Sequence, residues 1–172
     1  MEHVSREALE AGLDEIRRSP SDNGVLELVV RRPVENEREV LEAGELDFDQ
    51  GLVGDRWHGT DPSTQLTLIN ARLIALVAGE RDRWPLAGDQ LYVDFDLSED
   101  NVPAGTRLAV GETVVEVTTE PHTGCAKFSA RFGSDALKFI NSPVGRALHL
   151  RGVNARVVEP GPVRIGDKVR KL

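Results

Sequence analysis

The sequence is poor in cysteine, in lysine and in long apolar runs. Its single cysteine excludes an intrachain disulfide, an internal iron–sulfur cluster and a four-thiolate zinc site, because each of these needs further thiolates. A helix that crosses a bilayer needs about 20 consecutive apolar residues, and no such run occurs. If the protein performs redox chemistry, its electrons must therefore come from another protein or from a soluble donor.

The start of the chain contains no apolar core of the kind that marks a secretory signal, and acidic residues stand among its basic ones. Transit peptides are poor in acidic residues, so neither kind of targeting segment is predicted. A thiol left free is typical of a reducing compartment. We therefore predict a cytoplasmic protein that does not bind membranes.

Acidic side chains outnumber basic ones, and the formal net charge is −8. This balance argues against nucleic-acid and anionic-membrane partners, which select a basic face. The basic side chains are nevertheless rich in arginine, because only four of the 21 are lysines. Arginine stays charged when partly buried and forms forked hydrogen bonds to phosphate or carboxylate. Most of these arginines are expected on the solvated surface, but several could line a pocket for a small anion.

A chain of 172 residues is long enough to build one core, and we predict a single domain over residues 1–172. Residues 5–18 predict a helix, because their apolar side chains recur at helical spacing, Ser5 caps the start and Pro20 ends it. From about residue 24 onward, short segments rich in β-branched residues alternate with turn residues. The predicted strands are 25–33, 34–43, 65–69, 91–97, 106–110, 113–119, 153–158 and 163–169, with short helices at 70–79 and 126–132. This spacing is typical of a β-barrel or sandwich, so the expected class is mainly β with some helix.

The only thiol lies in the segment EPHTGCAKF, residues 120–128, where a turn leads into a predicted helix. Backbone N–H groups at the start of a helix stabilise a thiolate, and the nearby His122 and Lys127 add positive charge. This arrangement favours a metal ligand or a nucleophile at Cys125. A lone cysteine is also often a small buried hydrophobic side chain, and the local pattern leaves both interpretations open.

A glycine-rich segment, GLVGDRWHG at residues 51–59, is the second candidate site. Glycines such as Gly54 let the backbone approach a ligand or adopt positive φ. Arg56 could then bind an anion while Asp55 orients it. A tight turn held by a structural Asp–Arg pair explains the same residues equally well. The segment is neither a dinucleotide-binding fingerprint nor a phosphate-binding loop.

Other combinations of polar residues carry weaker signals. His122 and Cys125 are three residues apart, whereas the thiol and imidazole of papain-like proteases are distant in sequence. His58, His122 and Cys125 could bind zinc, but their spacing matches no standard zinc motif. Five further polar residues are candidates, although none of them indicates a particular chemistry by itself. They are Asn101, Arg107, Arg131, Arg151 and Arg156.

Together these segments resemble the MOSC family, named for the C-terminal domain of molybdenum cofactor sulfurase, and most of all its single-domain bacterial members. The matching pieces are GLVGDRWHG, QLTLI, GTRLAVGETVVEVTTEPHTGC, RGVNARVVEPG and VRIGDKV. They occur in the family's order over residues 51–169, which is some two thirds of the chain. The resemblance implies a MOSC-type β-barrel with short peripheral helices, here preceded by the N-terminal helix.

The resemblance also implies that the protein binds the molybdenum cofactor, a pterin dithiolene with a phosphate tail. The family cysteine corresponds to Cys125, and in relatives that reduce N-hydroxylated compounds that cysteine binds molybdenum. A soft thiolate suits a soft metal site by its own chemistry as well. The implied cofactor-binding residues are Arg31, Arg32, Gly54, Asp55, Arg56, His122, Lys127 and Arg151, of which the arginines and the lysine would neutralise the phosphate.

Three functions are compatible with this resemblance. The first is a reductase of small N-hydroxylated or N-oxygenated substrates, with Cys125 as catalytic residue and molybdenum ligand and an external flavin or iron–sulfur protein as electron donor. The second is a non-catalytic carrier of the molybdenum cofactor, or of sulfur as a Cys125 persulfide. The third is a barrel that has lost the cofactor and binds a protein partner. The segment after Arg56 is shorter than the His-His-Gly-Gly segment of the hydroxylaminopurine-reductase branch, so no particular substrate is predicted.

Overall fold

The structure is a computed structural model that describes residues 2–57, 59 and 61–172. In this part of the chain the strands are β1 (Gly24–Arg31), β2 (Glu39–Leu41), β3 (Ala43–Asp47), β4 (Gly51–Leu52), β5 (Leu66–Asn70), β6 (Leu91–Asp94), β7 (Arg107–Val110), β8 (Thr113–Val117), β9 (Val153–Glu159), β10 (Gly161–Arg164) and β11 (Lys168–Lys171). The helices are α1 (Arg6–Ala11), α2 (Leu13–Arg17), α3 (Ala71–Ala78), α4 (Ala126–Phe132), α5 (Ser134–Asn141) and α6 (Pro143–Ala147), with 3-10 segments at Pro62–Thr64 and Arg81–Ala87. No helix within these ranges is long and apolar enough to cross a membrane.

Seven of the strands close into a barrel. Their order is β1–β6–β5–β9–β8–β7–β11, and β11 returns to β1 with Gly24 opposite Val169. The neighbouring strands are antiparallel except for β5 and β6, which are parallel. A parallel pair needs a crossover connection, and α3 with the Arg81–Ala87 segment supplies it. The predicted mainly β barrel with short peripheral helices and an N-terminal helix is confirmed.

Three predicted elements differ in detail. The strand predicted over residues 163–169 is divided into β10 and β11, because the chain bends at Gly166, which has a φ of 95°. The N-terminal helix is divided into α1 and α2 at Gly12. A Cβ at Gly12 would lie 2.6 Å from Cδ1 of Leu76, so this position is closely packed. The strand predicted over residues 34–43 begins only at Glu39. Asn36 has a positive φ of 65°, which turns the chain before the strand can start, and the residues after β1 therefore form a loop.

The apolar residues form two cores, one inside the barrel and one between the barrel and the helices. Strand β1 contributes to both, because Leu26 belongs to the inner core and Leu28 to the outer one. Full burial of such a side chain contributes roughly 1.5–3 kcal/mol. Phe128 and Phe132 of α4 belong to the outer core. Their burial fixes α4 against the barrel and so positions Cys125, the residue immediately before the helix.

Candidate functional site

A cavity of about 140 Å³ opens beside the start of α4. Cys125 and His122 line it from the loop before α4, and Glu35 is the one carboxylate among the described residues that line it. The cationic side chains that line it are Arg32, Arg38, Arg56, Lys127, Arg131 and Arg151. Such a concentration of positive charge, in a chain of net charge −8, favours the binding of an anion. We call it the anion cavity.

Cys125 is exposed and stands at the N-cap of α4 in an extended conformation, with φ of −132°. The N–H group of Phe128 is the main cause of a lowered pKa of the Cys125 thiol. Partial burial opposes this effect, while the N–H group of Lys127 and the charges of Arg151 and Arg131 reinforce it. The thiolate-stabilising helix start expected from the sequence is therefore present.

We expect the alkylation of Cys125 by iodoacetamide to reach half its maximal rate below about pH 8.5, the ordinary pKa of a cysteine thiol. The thiolate is the reacting form, so a lowered pKa moves the rate profile to lower pH. Because the chain has one cysteine, labelling followed by mass spectrometry reports this site alone. Protein unfolded in guanidinium is the control. Identical profiles for folded and unfolded protein would rule out the effect of the helix start.

Arg151 is held from three sides at the wall of the anion cavity. Its Nη1 donates to Oδ2 of Asp89 at 2.6 Å, its Nη2 donates to the carbonyl of Ala87 at 3.0 Å, and its guanidinium lies 5.4 Å from the ring centre of Phe128. The residue is only 8% exposed. Its buried Nε has no hydrogen-bond acceptor among the described residues. An unpaired buried N–H is costly, so a water or a ligand is expected to accept from this donor.

Asp89 joins Arg151 to His122. The carboxylate is fully buried, and its Oδ1 lies 3.3 Å from Nε2 of His122. Burial by itself would favour the neutral acid, but the charge of Arg151 and the contact with His122 hold the pKa of Asp89 well below its usual range. An ionised carboxylate only accepts hydrogen bonds, so Nε2 of His122 carries the proton. Asp89 thereby orients two side chains that line the cavity.

Asp55 orients Arg32 in a similar way. Its buried carboxylate accepts hydrogen bonds from the backbone N–H, Nε and Nη2 of Arg32 at 2.8, 3.0 and 2.7 Å. Burial raises the pKa of Asp55, but the contacts with Arg32 outweigh burial and lower it. The sequence-based interpretation in which Asp55 orients Arg56 is wrong, because the turn at Gly54 brings the carboxylate to the residue that follows β1. The alternative considered for this segment was a structural Asp–Arg pair. Such a pair is present, and Asp55 forms it with Arg32.

Arg31 is not among the residues that line the anion cavity. It pairs with Glu39 of β2, because adjacent side chains along a strand point to opposite sides. Its side chain also passes Gly54, where a Cβ would lie 2.7 Å from Cδ of Arg31. Gly54 has a φ of 86°, so both its conformation and this close approach require glycine. Gly54 therefore shapes the turn rather than the cavity wall.

Two cavity arginines and the buried carboxylate were not among the predicted cofactor-binding residues. Arg38 and Arg131 both donate at 2.8 Å to carbonyl groups of the Arg81–Ala87 segment. Burial and the nearby charge of Arg131 lower the pKa of Arg38. Lys127 and Arg131 are four residues apart on α4, a spacing that indicates a shared helix face. Arg38 and Asp89 carry no such local signal, because loops bring them to the site.

The zinc interpretation receives no support from the described residues. His58, one of its three candidate ligands, lies outside them. Within residues 2–57, 59 and 61–172, no group of three or more His, Cys, Asp and Glu side chains is placed to hold a metal ion.

The fold and the cavity define a small barrel protein with a cation-lined site around an exposed cysteine. Similar solved structures include the YuaD protein from Bacillus subtilis, with a TM-score of 0.65 and 16% identity over 86% of this chain and 94% of that chain. YiiM from Escherichia coli gives a TM-score of 0.58 and 20% identity over 86% and 69% of the two chains. YiiM from Geobacillus stearothermophilus gives a TM-score of 0.56 and 15% identity over 88% of this chain and 73% of that chain. At these identities the likeness shows the fold, and a search of the curated proteins finds no match.

The sequence also matches the model of the MOSC domain family, over residues 55–170. This span is more than half of the chain, and it includes Cys125 and four of the six cations that line the anion cavity. The other two, Arg32 and Arg38, precede it. The protein belongs to the MOSC domain family, and the resemblance drawn from its motifs is confirmed. The family as a whole is associated with the molybdenum cofactor.

Proposed function

We propose that the anion cavity binds the molybdenum cofactor and that the protein reduces small N-hydroxylated or N-oxygenated compounds. The observation that carries this proposal is the exposed Cys125 thiol, of lowered pKa, in a cavity lined by six cationic side chains. A thiolate is a ligand for soft metal sites, and arginine suits phosphate. Membership of the MOSC domain family supports the same cofactor.

The residues present fit the charged groups of this cofactor. The buried Nε of Arg151 lacks an acceptor within the described part of the chain, and Arg38 lies close to the like charge of Arg131. A bound anion would accept a hydrogen bond from this Nε, and its charge would offset the repulsion between Arg38 and Arg131. The cavity of about 140 Å³ is smaller than the about 300–1,000 Å³ of sites that enclose a drug-sized ligand. These residues would therefore hold the metal and the phosphate rather than enclose the pterin.

The chain's own residues would bind the cofactor and orient it. When bound, the cofactor supplies a metal centre that exchanges electrons with the substrate, and reduction of N–OH to N–H takes up electrons and protons and releases water. Cys125 would be the metal ligand, and its lowered thiol pKa favours the deprotonated form that binds metals. Arg32 and Arg151, oriented by Asp55 and Asp89, would neutralise the anion.

An external electron donor belongs to the same proposal. One cysteine cannot hold an iron–sulfur cluster, so a separate flavin or iron–sulfur protein would supply the electrons. We place the reaction in the cytoplasm, because the free thiol of Cys125 is exposed and persists best in a reducing compartment.

The exposure of Cys125 also favours a second candidate function. An exposed thiolate of lowered pKa can attack the outer sulfur of a persulfide on a donor protein, which forms the Cys125 persulfide and releases the donor cysteine as a thiolate. The protein would then carry sulfur, or would hold the molybdenum cofactor and release it to a partner. The two functions differ in turnover, because a reductase converts substrate repeatedly whereas a carrier only binds and releases.

Molybdenum content, pterin fluorescence and turnover together test the proposal. Protein purified without oxygen from a host that makes the cofactor is expected to contain near-stoichiometric molybdenum and pterin. It is also expected to oxidise a reduced viologen dye when an N-hydroxylated compound is added. Cofactor without turnover would favour the carrier, and a persulfide on cofactor-free protein would favour sulfur transfer. Protein that takes up no cofactor even after reconstitution would refute the reductase.

Replacing Arg56 by alanine is expected to weaken cofactor binding by about 1.5–3 kcal/mol, the contribution of a hydrogen bond to a charged group. Arg56 lines the anion cavity and is exposed, so its truncation removes a charge without disturbing a core. Arg107→Ala is the matched control, because Arg107 pairs with Glu116 and does not line the cavity. A fluorescence titration with the pterin measures the affinity. Equal affinities of the two variants would remove Arg56 from the site.

A further inference from the structure

The loop between β1 and β2 forms one wall of the anion cavity. Three of its residues, Glu35, Asn36 and Arg38, line the cavity. Residues 34–37 are all exposed, and Val34 among them is 53% exposed. A segment with few buried apolar contacts moves away from the rest of the fold at a small cost in free energy. The position of this loop therefore depends on its polar contacts.

Two arginines hold the ends of the loop. At its start, Nη1 of Arg32 donates to the carbonyl of Gly88 at 3.1 Å. At its end, Nε of Arg38 donates to the carbonyl of Pro85 at 2.8 Å. Both carbonyl groups belong to the connection between α3 and β6. The loop is thus fixed at both ends, and the residues between these ends can move as a unit.

The exposed part of the loop contacts α4 through an ion pair. Oε1 of Glu35 lies 3.7 Å from Nζ of Lys127. Both side chains are about two-thirds exposed, at 67% for Glu35 and 63% for Lys127. Ion pairs with this exposure contribute little to stability, because water and salt screen them. This contact therefore joins two walls of the anion cavity and is easily broken.

Glu35 occupies a position in which it competes with an anion. It is the one carboxylate in the described lining of the cavity, against six cationic side chains. Arg38 and Arg131 donate to backbone carbonyls, and a Cβ on Gly88 would lie 3.6 Å from Nη2 of Arg38 and 3.7 Å from Nη1 of Arg131. Two like charges placed beside one glycine attract an anion. Lys127 is already paired, so an anion that binds it must displace Glu35.

We propose that the Glu35–Lys127 ion pair is a latch, which holds the β1–β2 loop against α4 until an entering anion replaces the carboxylate on Lys127 and releases the loop. A phosphate group carries close to two negative charges at neutral pH. The cavity cations therefore attract it more strongly than they attract the single charge of Glu35. The inference rests on the proposed function, because it concerns the entry of an anion into the same cavity, and it adds a conformational step to that entry.

Protection of Cys125 by inorganic phosphate tests the latch on the protein as purified. Phosphate bound in the cavity is expected to slow the labelling of this single cysteine by iodoacetamide, because it blocks the thiol and disfavours the thiolate. The phosphate concentration that gives half of the full protection measures the apparent Kd. Glu35→Gln keeps the length of the side chain and removes its charge. It is expected to bind phosphate about two- to five-fold more tightly, the factor by which an exposed ion pair competes.

Glu37→Gln is the matched control for the loss of charge. Glu37 is exposed on the same loop and is not among the residues that line the cavity. This variant is expected to bind phosphate nearly as the wild type does. Lys127→Gln then tests the pairing itself. If Glu35 acts through Lys127, the Glu35→Gln substitution has little further effect on affinity when Lys127 has also been replaced.

The outcomes separate a latch from simple repulsion. A gain in affinity in Glu35→Gln that disappears in the double variant supports the latch. A gain of equal size with and without Lys127 overturns it, because Glu35 would then act by repulsion alone. Equal affinities of the Glu35→Gln and Glu37→Gln variants, or no protection of the wild type, overturn it as well. Thermal unfolding of each variant shows that the fold is kept.

Molybdenum content, measured on protein from a host that makes the cofactor, separates this inference from the proposed function. Phosphate binding that follows the expected pattern in protein that takes up no cofactor supports the latch and refutes the proposed function. Protein that contains molybdenum but shows no gain in Glu35→Gln overturns the latch and leaves the proposed function in place.

Discussion

Replacing Cys125 by serine is expected to abolish molybdenum retention while leaving the fold intact. A serine hydroxyl is not ionised at neutral pH, so the anion cavity would lose its soft anionic ligand. The cysteine is exposed, and substitutions at such positions usually change the free energy of unfolding by no more than about 0.5 kcal/mol. Metal analysis of protein from the same host measures the loss, and thermal unfolding measures the fold.

Ala126→Ser is the matched control for this variant, because Ala126 is the next residue and is also exposed. It adds a hydroxyl beside the thiol without removing it, and it is expected to keep its molybdenum. A Cys125→Ser variant that retains full molybdenum, or one that unfolds, would contradict the assignment of the metal ligand. Pterin that stays bound without metal in Cys125→Ser would show that the cations hold the cofactor independently of the thiol.

Replacing Asp89 by asparagine is expected to lower the free energy of unfolding by about 3–5 kcal/mol, the range for removing one partner of a buried ion pair. Asp89 is fully buried between Arg151 and His122, so the variant leaves the charge of the guanidinium uncompensated. Because asparagine keeps the shape of the side chain, the change in the free energy of unfolding measures the contribution of the negative charge. Asp94→Asn is the matched control. Asp94 pairs with Arg72 at 2.8 Å, but both side chains are about a quarter exposed, and such pairs contribute about 0–1 kcal/mol.

The effect of Asp89 has a predicted pH dependence. Its folded-state pKa is lowered below the unfolded value of about 3.9. A carboxyl of this kind contributes its full stabilisation above the unfolded pKa and loses it as the pH falls through the folded one. We therefore expect a constant margin between wild type and Asp89→Asn from about pH 8 to about pH 5, and a shrinking margin below about pH 4. Urea unfolding of both proteins across this range measures it, and a margin that grows on acidification would contradict the ion pair.

Local pattern was enough to predict many of the elements. The strand predicted over residues 113–119 corresponds to β8, and the helix predicted over residues 70–79 corresponds to α3 with Asn70 as its N-cap. The side chain of Asn70 accepts from the N–H groups of Arg72 and Leu73, as a cap does. The position of Cys125 before α4 was predictable for the same reason, because a turn and a helix start depend on residues adjacent in sequence.

The cavity lining was only partly predictable. Arg31, Arg32 and Arg56 were all predicted to bind the cofactor. In the structure Arg32 and Arg56 line the anion cavity, whereas Arg31 does not. A difference of one residue along a strand reverses the direction of the side chain, and the strand predicted over residues 25–33 extends two residues beyond the end of β1 at Arg31. Arg38 was missed because it lies in a loop, where no periodicity indicates the direction of a side chain.

The sequence by itself determined a mainly β chain with short helices, a single thiol at the start of a helix, and enough arginine to bind an anion. Only the tertiary structure decided which arginines surround that thiol and which carboxylates orient them. Asp89 and Arg151 are separated by 62 residues, yet they form a buried ion pair at 2.6 Å. Contacts of this kind depend on the closure of the barrel, which brings distant segments together, whereas sequence pattern reports only the interactions between near neighbours.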